Sequence, residues 1–173
     1  MLAEDAASLY LQATLRRVWA PQGQPPVVAA DARRVKTNFY GPLNLHTGAE
    51  VVMQADKLNA ETTAMYLERV LAAHPAVPLL LVWDRAPWHR GEEIRAVLAA
   101  NPRLEVRHFP VAAPELNPQE HVWKATREAV SHNHAARQLS PLAARFEAHL
   151  TRTIFPTSFL EHRGFHTIAA RFI

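Results

Sequence analysis

The sequence contains no cysteine among its 173 residues. This absence excludes disulfide bonds, thiolate zinc sites and a cysteine nucleophile, so any bound metal must be held by oxygen or imidazole ligands. The sequence also lacks a run of eighteen apolar residues, and residues 1–5 lack the basic region and the long apolar segment of a secretion signal. We therefore expect a cytoplasmic protein without a membrane partner.

The residues that are present suit one compact domain. Hydrophobic residues make up 49% and charged residues 20% of the chain, a balance that supports a full-sized core. The formal net charge is +3 and the sequence pI is near 9.7, which permits a polyanionic partner but does not require one. We predict a single domain over residues 1–173.

The first third of the chain predicts an antiparallel meander. Residues 2–5 are too few for a complete strand, and we interpret them as a shortened first strand that lacks its initial part. Residues 16–21 form a short extended piece ended by a loop rich in proline and glycine. Residues 35–40 alternate and are rich in β-formers, Gly41 and Pro42 suggest a turn, and residues 50–54 form another extended candidate. Successive strands joined by short turns pair in this antiparallel way.

The rest of the chain alternates between helices and strands. Asn59 is a candidate cap for a long amphipathic helix, and Asn117 with Pro118 marks another helix start. The predicted helices span residues 60–74, 91–100, 117–131, 140–151 and 157–163, and the predicted strands span residues 79–83 and 104–109. Because alternation of this kind favours parallel pairing, we predict an α/β fold with a mixed sheet flanked by helices.

Three carboxylates recur at the ends of these elements. Asp84 directly follows the apolar strand 79–83, where open α/β sheets bind ligands, while Glu120 lies in a helix's first turn and Asp5 in the first strand. Taken singly, each is also typical of a turn residue, a helix-dipole partner or a solvated terminus. Together they would repel one another unless cations neutralised them. Oxygen ligands favour two Mg²⁺ or Mn²⁺ ions about 4 Å apart, which is phosphodiester chemistry.

At these residues the sequence resembles the DDE-superfamily transposases of bacterial insertion sequences, in the mariner-like group. The matching stretches are residues 4–9, residues 14–24, Trp83–His89 with the sequence WDRAPWH, and Pro114–Trp123 with the sequence PELNPQEHVW. The last two stretches are the most specific. Thirty-five residues separate Asp84 from Glu120, close to the short second spacing of this group.

The resemblance implies a ribonuclease H-like fold with Asp5, Asp84 and Glu120 as the catalytic metal ligands. It further implies Mg²⁺-dependent cleavage at transposon ends, strand transfer into target DNA, double-stranded DNA as partner, a homodimer on DNA, and nucleoid association when bound. Two positions depart from the pattern, because Ala6 stands where an acid is frequent and Arg85 where an Asn is frequent. Arg85 could pair with Asp84 or with a phosphate.

Several residues near the carboxylates are candidates for DNA contact: Arg85, Trp88, His89, Asn117, His121, Lys124 and Arg127. The two histidines are more typical of groups that support the metal ligands or pack beside them. A second basic set, made of Arg16, Arg17, Arg33, Arg34 and Lys36, is open to two interpretations, a phosphate-binding face or a solvated surface.

Full-length transposases of this group carry an N-terminal helix-turn-helix region, which we expect to be absent from this chain. A companion polypeptide is one possible source of that region, and without it we predict weak DNA binding with little sequence preference. Two alternatives to an active transposase stay open. One is a ribonuclease H-like nuclease without strand transfer, and the other is an inactive relic that only binds DNA or a partner.

Overall fold

Five strands form one mixed sheet in the computed structural model, which describes residues 1–29, 31–111 and 113–155. The strands are β1 (Leu2–Tyr10), β2 (Lys36–Asn44), β3 (Met53–Ala55), β4 (Leu79–Trp83) and β5 (Leu104–His108). The helices are α1 (Ala60–Ala73), α2 (Glu92–Ala100), α3 (Gln119–Thr126) and α4 (Leu139–Arg152). The helix predicted at residues 157–163 lies outside the described residues. None of the helices described is long and apolar enough to cross a membrane.

The strand order is β3-β2-β1-β4-β5. Strands β1, β2 and β3 pair antiparallel, whereas β4 joins the other edge of β1 in parallel and β5 pairs in parallel with β4. The predicted meander and the predicted parallel half are therefore both confirmed. β1 is the central strand and adjoins both halves, so its side chains can meet residues from either one.

β1 is longer than the sequence pattern predicts. It extends to Tyr10, and all nine of its residues pair with β2, from Leu2 opposite Asn44 to Tyr10 opposite Lys36. Alanine and serine at positions 6–8 have low strand propensity, so the pairing partner rather than local preference determines this strand. The extended piece predicted at residues 16–21 is not a strand. The loop after it does contain the predicted turn, in which the Gln24 amide donates to the Pro21 carbonyl.

Gly41 and Pro42 do not form the predicted turn, because both lie inside β2. Gly41 pairs with Asp5, and a Cβ at this position would lie 2.8 Å from side-chain atoms of Gln119, Glu50 and Trp123. The missing side chain of Gly41 thus lets these three side chains pack closely against β2, and the glycine does not reverse the direction of the chain.

The α/β half follows the prediction closely. The Asn59 side chain accepts a hydrogen bond from the Thr62 amide, and the Thr62 hydroxyl accepts one from the Asn59 amide, which completes a capping box at the start of α1. β4 has the predicted bounds. α3 begins at Gln119, whose amide donates to the Asn117 side chain at 3.1 Å, and a π-helical turn continues it to Ser131.

Helices cover both faces of the sheet. Helices α1 and α2 pack on the face that carries Leu2 and Tyr40, whereas α3 and α4 pack on the face that carries Ala3 and Phe39. Because side chains alternate along a strand, Glu4 and Asp5 point to opposite faces. This alternation places two carboxylates back to back across the centre of the sheet.

Candidate active site

The three predicted carboxylates meet at one open pocket. Asp5 from β1, Asp84 after β4 and Glu120 from the first turn of α3 line a cavity of about 220 Å³. They come together because β1 and β4 are parallel neighbours, paired at Ala3 and Val82, and because α3 packs against β1. Arg85 and Asn117 complete the polar lining. The structure therefore gathers residues that are far apart in the sequence.

Asp5 lies in an unfavourable environment for a negative charge. Burial raises the pKa of its carboxyl group to about 7, and the charge of Glu120 contributes to that rise, followed by the charge of Asp84. Hydrogen bonds oppose the rise in part: the Ala6 amide donates to Asp5, and Trp123 Nε1 donates to Asp5 Oδ2 at 3.1 Å. Asp5 is thus a carboxylate that a nearby cation would strongly favour.

Asp84 lies in the opposite kind of environment. Its side chain is 51% exposed, and the hydrogen bond with His89 lowers the pKa of its carboxyl group, although partial burial opposes that effect. His89 Nδ1 lies 2.9 Å from Asp84 Oδ1, and the Ala86 amide donates to the same oxygen at 2.9 Å. Asp84 is therefore kept ionised without a cation. Glu120, the third carboxylate, is exposed on α3.

Two further acids, Glu4 and Glu50, lie behind the pocket. Burial raises the pKa of Glu4 well above its ordinary value, and the charges of Asp5, Asp84 and Glu50 add to the effect. Burial also raises the pKa of Glu50 to about 8, although a hydrogen bond from Gln119 Nε2 at 3.1 Å opposes it. Sequence reasoning missed both residues. Strand alternation was the available signal for Glu4, because it lies two positions from the apolar Leu2.

The pocket fits divalent cations by its chemistry. Its ligand atoms are carboxylate oxygens, which Mg²⁺ and Mn²⁺ prefer, and among the residues that the structure describes no basic side chain forms an ion pair with Asp5. Over the described part of the chain, no group of three or more His, Cys, Asp or Glu side chains is already gathered closely enough to hold a metal. We therefore expect a bound cation to require the exposed side chain of Glu120 to approach the other two carboxylates.

The residues predicted to contact DNA are placed in different ways. Arg85 and Lys124 are exposed, while Trp88, His121 and Arg127 are partly buried. Asn117 lines the pocket, but its amide donates to the Glu4 carbonyl at 3.0 Å and accepts from the Gln119 amide. His89 is only 6% exposed, and both of its ring nitrogens face carboxylates inside the protein, which favours the alternative that it supports a proposed metal ligand.

The other basic residues divide into two groups. Arg16 and Arg17 line a shallow depression together with Lys124, so they extend a positively charged surface beside α3. Arg33 instead forms an ion pair with Asp31 at 2.6 Å, and Lys36 lies 5.8 Å from the centre of the Tyr10 ring. The interpretation as a phosphate-binding face therefore suits only part of this set.

In addition to this depression, a basic groove that was not predicted from the sequence begins at the carboxylate pocket. Arg85 lines both the carboxylate pocket and this groove, which continues past Arg90 and Arg95 at the start of α2. In the sequence, Arg90 precedes the predicted helix 91–100 and Arg95 lies within it, and neither position by itself indicates a DNA contact. Only the fold shows that they follow Arg85 along one side of the carboxylates.

The chain belongs to the DDE superfamily endonuclease family, whose model matches residues 1–143. A relative from Shigella sonnei, the uncharacterized 39 kDa protein of insertion element IS630, is 24% identical over 154 residues, which are 88% of this chain and 45% of that protein. The chain thus spans about half the length of its curated relative.

Solved structures of the Mos1 transposase share the fold. The paired-end complex with the left transposon end has a TM-score of 0.69 at 15% identity, over 98% of this chain and 52% of that one. The mariner Mos1 paired-end complex with Mn has a TM-score of 0.68 at 15% identity, with the same coverage. These likenesses confirm the ribonuclease H-like fold that the sequence resemblance implied.

Proposed function

We propose that this chain is the catalytic region of a DNA transposase. It cleaves phosphodiester bonds at the ends of a mobile element and transfers the freed 3′-hydroxyl into target DNA. The observation that carries the proposal is the meeting of Asp5, Asp84 and Glu120 at one pocket in a chain of the DDE superfamily endonuclease family. Residues from three separate elements converge there, and carboxylates gathered in this way can hold the metal ions of a phosphoryl-transfer site.

Asp5, Asp84 and Glu120 are proposed to hold two Mg²⁺ or Mn²⁺ ions. When bound, such ions activate the attacking oxygen and stabilise the leaving oxygen of a phosphodiester. The oxygen ligands and the charge repulsion at Asp5 support this assignment. Among the structural neighbours, one Mos1 complex is described as containing Mn and another as containing Mg, which is consistent with it.

The chain's own residues prepare the site in distinct ways. The Ala86 amide and His89 hold Asp84 by one oxygen and favour its ionised form. Trp123 orients Asp5 through the indole N–H. Arg85 opens onto the same pocket, where its guanidinium is suited to the oxygens of a phosphate group.

Double-stranded DNA is the proposed partner, bound by a homodimer. The groove of Arg85, Arg90 and Arg95 and the surface of Arg16, Arg17 and Lys124 supply phosphate contacts beside the pocket. Contacts of this type carry no sequence information, so a separate helix-turn-helix segment or companion polypeptide is proposed to recognise the element's ends. The chain alone should then bind DNA weakly and lose affinity as salt increases.

A strand-transfer assay tests the catalytic proposal. The purified chain is incubated with Mn²⁺, labelled oligonucleotides that carry pre-cleaved 3′-hydroxyl ends, and a supercoiled target plasmid. We expect joined products that disappear in Asp84→Asn and persist in Asp56→Asn, a matched change at an exposed residue. Nicked plasmid without joined label would instead favour the nuclease alternative. Neither product, despite DNA binding, would favour the relic.

A gel-shift comparison tests the proposed mode of DNA binding. Terminal-repeat DNA and scrambled DNA of equal length are titrated with the chain at two salt concentrations. We expect similar affinities for the two sequences and a steep loss at the higher salt. A preference for the repeat by orders of magnitude would show that this chain reads bases itself.

A further inference from the structure

A buried chain of polar groups leads from Asp84 into the core. His89 Nδ1 lies 2.9 Å from Asp84 Oδ1, and His89 Nε2 lies 3.3 Å from Glu4 Oε2. The His89 side chain is 2% exposed and the Glu4 side chain 0%, whereas Asp84 opens onto the pocket. One imidazole thus connects a pocket carboxylate to a carboxylate on the opposite face of β1.

The imidazole is fixed in orientation. Its ring stacks on the Trp83 indole with centroids 4.2 Å apart and planes 6° apart, and the Trp88 ring meets it nearly edge-on at 5.9 Å. The backbone is also held, because the His89 amide donates to the Ala86 carbonyl in the short helical turn Pro87–His89. The ring therefore cannot turn to exchange its two nitrogens without disturbing the core.

Burial of the Glu4 carboxyl group is unfavourable for folding. Across the described residues, neither of its carboxyl oxygens has a hydrogen bond of good geometry, and its approach to His89 is its sole ion-pair contact. A buried polar group without good partners costs stability, so an apolar residue here would give a more stable core. A residue retained at such a cost is expected to serve the site rather than the fold.

Asp84 is the group that benefits from this arrangement. Its side chain is half exposed and would otherwise rotate freely. His89 and the Ala86 amide both engage Oδ1, which leaves Oδ2 available to a ligand in the pocket. Outer partners of this kind fix the orientation of a metal-binding group.

We propose that His89 is a positioning residue that orients Asp84 for metal binding, and that Glu4 holds the imidazole in the orientation this requires. The inference rests on the proposed function, because Asp84 is a metal ligand only in that proposal. It assigns a role to two buried residues that act through Asp84.

A pair of amide substitutions separates the two contacts of His89. In His89→Asn the amide nitrogen takes approximately the place of Nδ1 and can still donate to Asp84. In His89→Gln the amide reaches the place of Nε2 and can meet Glu4 but not Asp84. We expect Mn²⁺ affinity, measured by electron paramagnetic resonance on the purified chain, to fall about 10- to 100-fold in His89→Gln and much less in His89→Asn.

Substitutions at Glu4 give a second test that does not alter the imidazole. Glu4→Gln keeps a hydrogen-bonding group opposite Nε2, whereas Glu4→Met has a similar length and removes it. We expect Glu4→Met to raise the melting temperature and lower Mn²⁺ affinity, while Glu4→Gln keeps most of that affinity. A purely structural role cannot give increased stability together with weakened metal binding, so this measurement decides the matter even if the His89 variants fail to fold.

The outcomes distinguish this inference from the proposed function. Equal Mn²⁺ affinity in wild type, His89→Gln and Glu4→Met would overturn the positioning role, provided that Asp84→Asn abolishes binding. Equal losses in His89→Asn and His89→Gln would also overturn it, because they would indicate packing rather than the Asp84 contact. If the wild type itself binds no Mn²⁺, or if Asp84→Asn binds it normally, the proposed function fails and the inference falls with it.

Discussion

Asp5 and Asp84 line the same pocket, but their surroundings shift the pKa values of the two carboxyl groups in opposite directions. Asp84 is half exposed, and its hydrogen bond with His89 lowers its pKa. Asp5 is mostly enclosed, and burial together with neighbouring acids raises its pKa to about 7. The difference indicates a division of labour. Asp84 is ready to bind a cation at any ordinary pH, whereas Asp5 becomes a good ligand only when a cation or a higher pH removes its proton.

Loss of either carboxylate should have the largest effect. We expect Asp5→Asn and Asp84→Asn each to reduce DNA cleavage at least about a hundredfold, because each removes a charged ligand from the proposed metal site. The rate is measured on a labelled duplex with Mn²⁺, and Asp56→Asn is the control with the same chemical change at an exposed position. An active Asp5→Asn protein would show that Asp5 does not belong to the site.

The stability of the metal-free protein should depend on pH through Asp5. Its pKa is about 7 in the folded state against an ordinary value of 3.8, so the unfolded chain loses this proton first as pH rises. Folding stability from this group is therefore highest below about pH 4 and is lost as pH rises through 7. We expect Asp5→Asn to be more stable than wild type at pH 8, by on the order of 2–4 kcal/mol, and the advantage to vanish at pH 4.

Urea denaturation at the two pH values, with a chelator present, measures this effect. Asp84→Asn is measured in the same way, because the pKa of Asp84 is shifted in the direction opposite to that of Asp5. The folded-state pKa of Asp84 is lowered, so its contribution is present above the ordinary value of 3.8 and is lost in stronger acid. A stabilising effect of Asp84→Asn at pH 8 that matched that of Asp5→Asn would break the contrast between the two residues.

A substitution at Gly41, which pairs with Asp5, tests the packing around Asp5 without changing either carboxylate. A Cβ there would lie 2.8 Å from atoms of Gln119, Glu50 and Trp123, so Gly41→Ala forces these side chains to move. We expect a loss of about 1–3 kcal/mol in the free energy of unfolding, typical of overpacking. Gly23→Ala is an informative comparison, since a Cβ at Gly23 would meet none of the described residues within 4 Å and the expected cost there comes from its positive φ.

The smallest expected effect concerns the hydrogen bond between Trp123 and Asp5. Trp123→Phe removes the indole N–H that lies 3.1 Å from Asp5 Oδ2, and the lost bond should cost about 1 kcal/mol beyond the change in packing. Because this bond lowers the pKa of Asp5, its removal should raise that pKa further. Carbon-13 NMR titration of the Asp5 carboxyl group measures the change, and an unaltered titration midpoint would contradict it.

The features that the sequence predicted well depend on local patterns. The apolar run of β4 has the predicted bounds because a strand covered on both faces needs apolar residues throughout. Asn59 and Thr62 form the cap of α1 with each other, within four residues. Asp84 could be selected as a site residue for the same reason, since it directly follows a predicted strand.

The features that the sequence did not predict depend on contacts between distant residues. Gly41 resembles a turn glycine until Trp123 and Gln119 are packed against it from α3. Glu4 resembles a solvated residue near the chain terminus, and its burial follows from the pairing of β1 with both β2 and β4. His89 was predicted near the site, but its place between two carboxylates required the coordinates.

Side chains along β1 point alternately to the two faces of the sheet. The register of β1 against β2 therefore decides whether Glu4 or Asp5 faces the pocket. Gly41 lies opposite Asp5, and bulky groups of α3 occupy the space that the missing side chain leaves. A slip of one residue would turn Glu4 toward α3 and bury Asp5 on the far side. Deleting a single alanine from residues 6–7 should therefore preserve the strand pairing near Leu2 but turn the later side chains of β1 to the opposite face of the sheet.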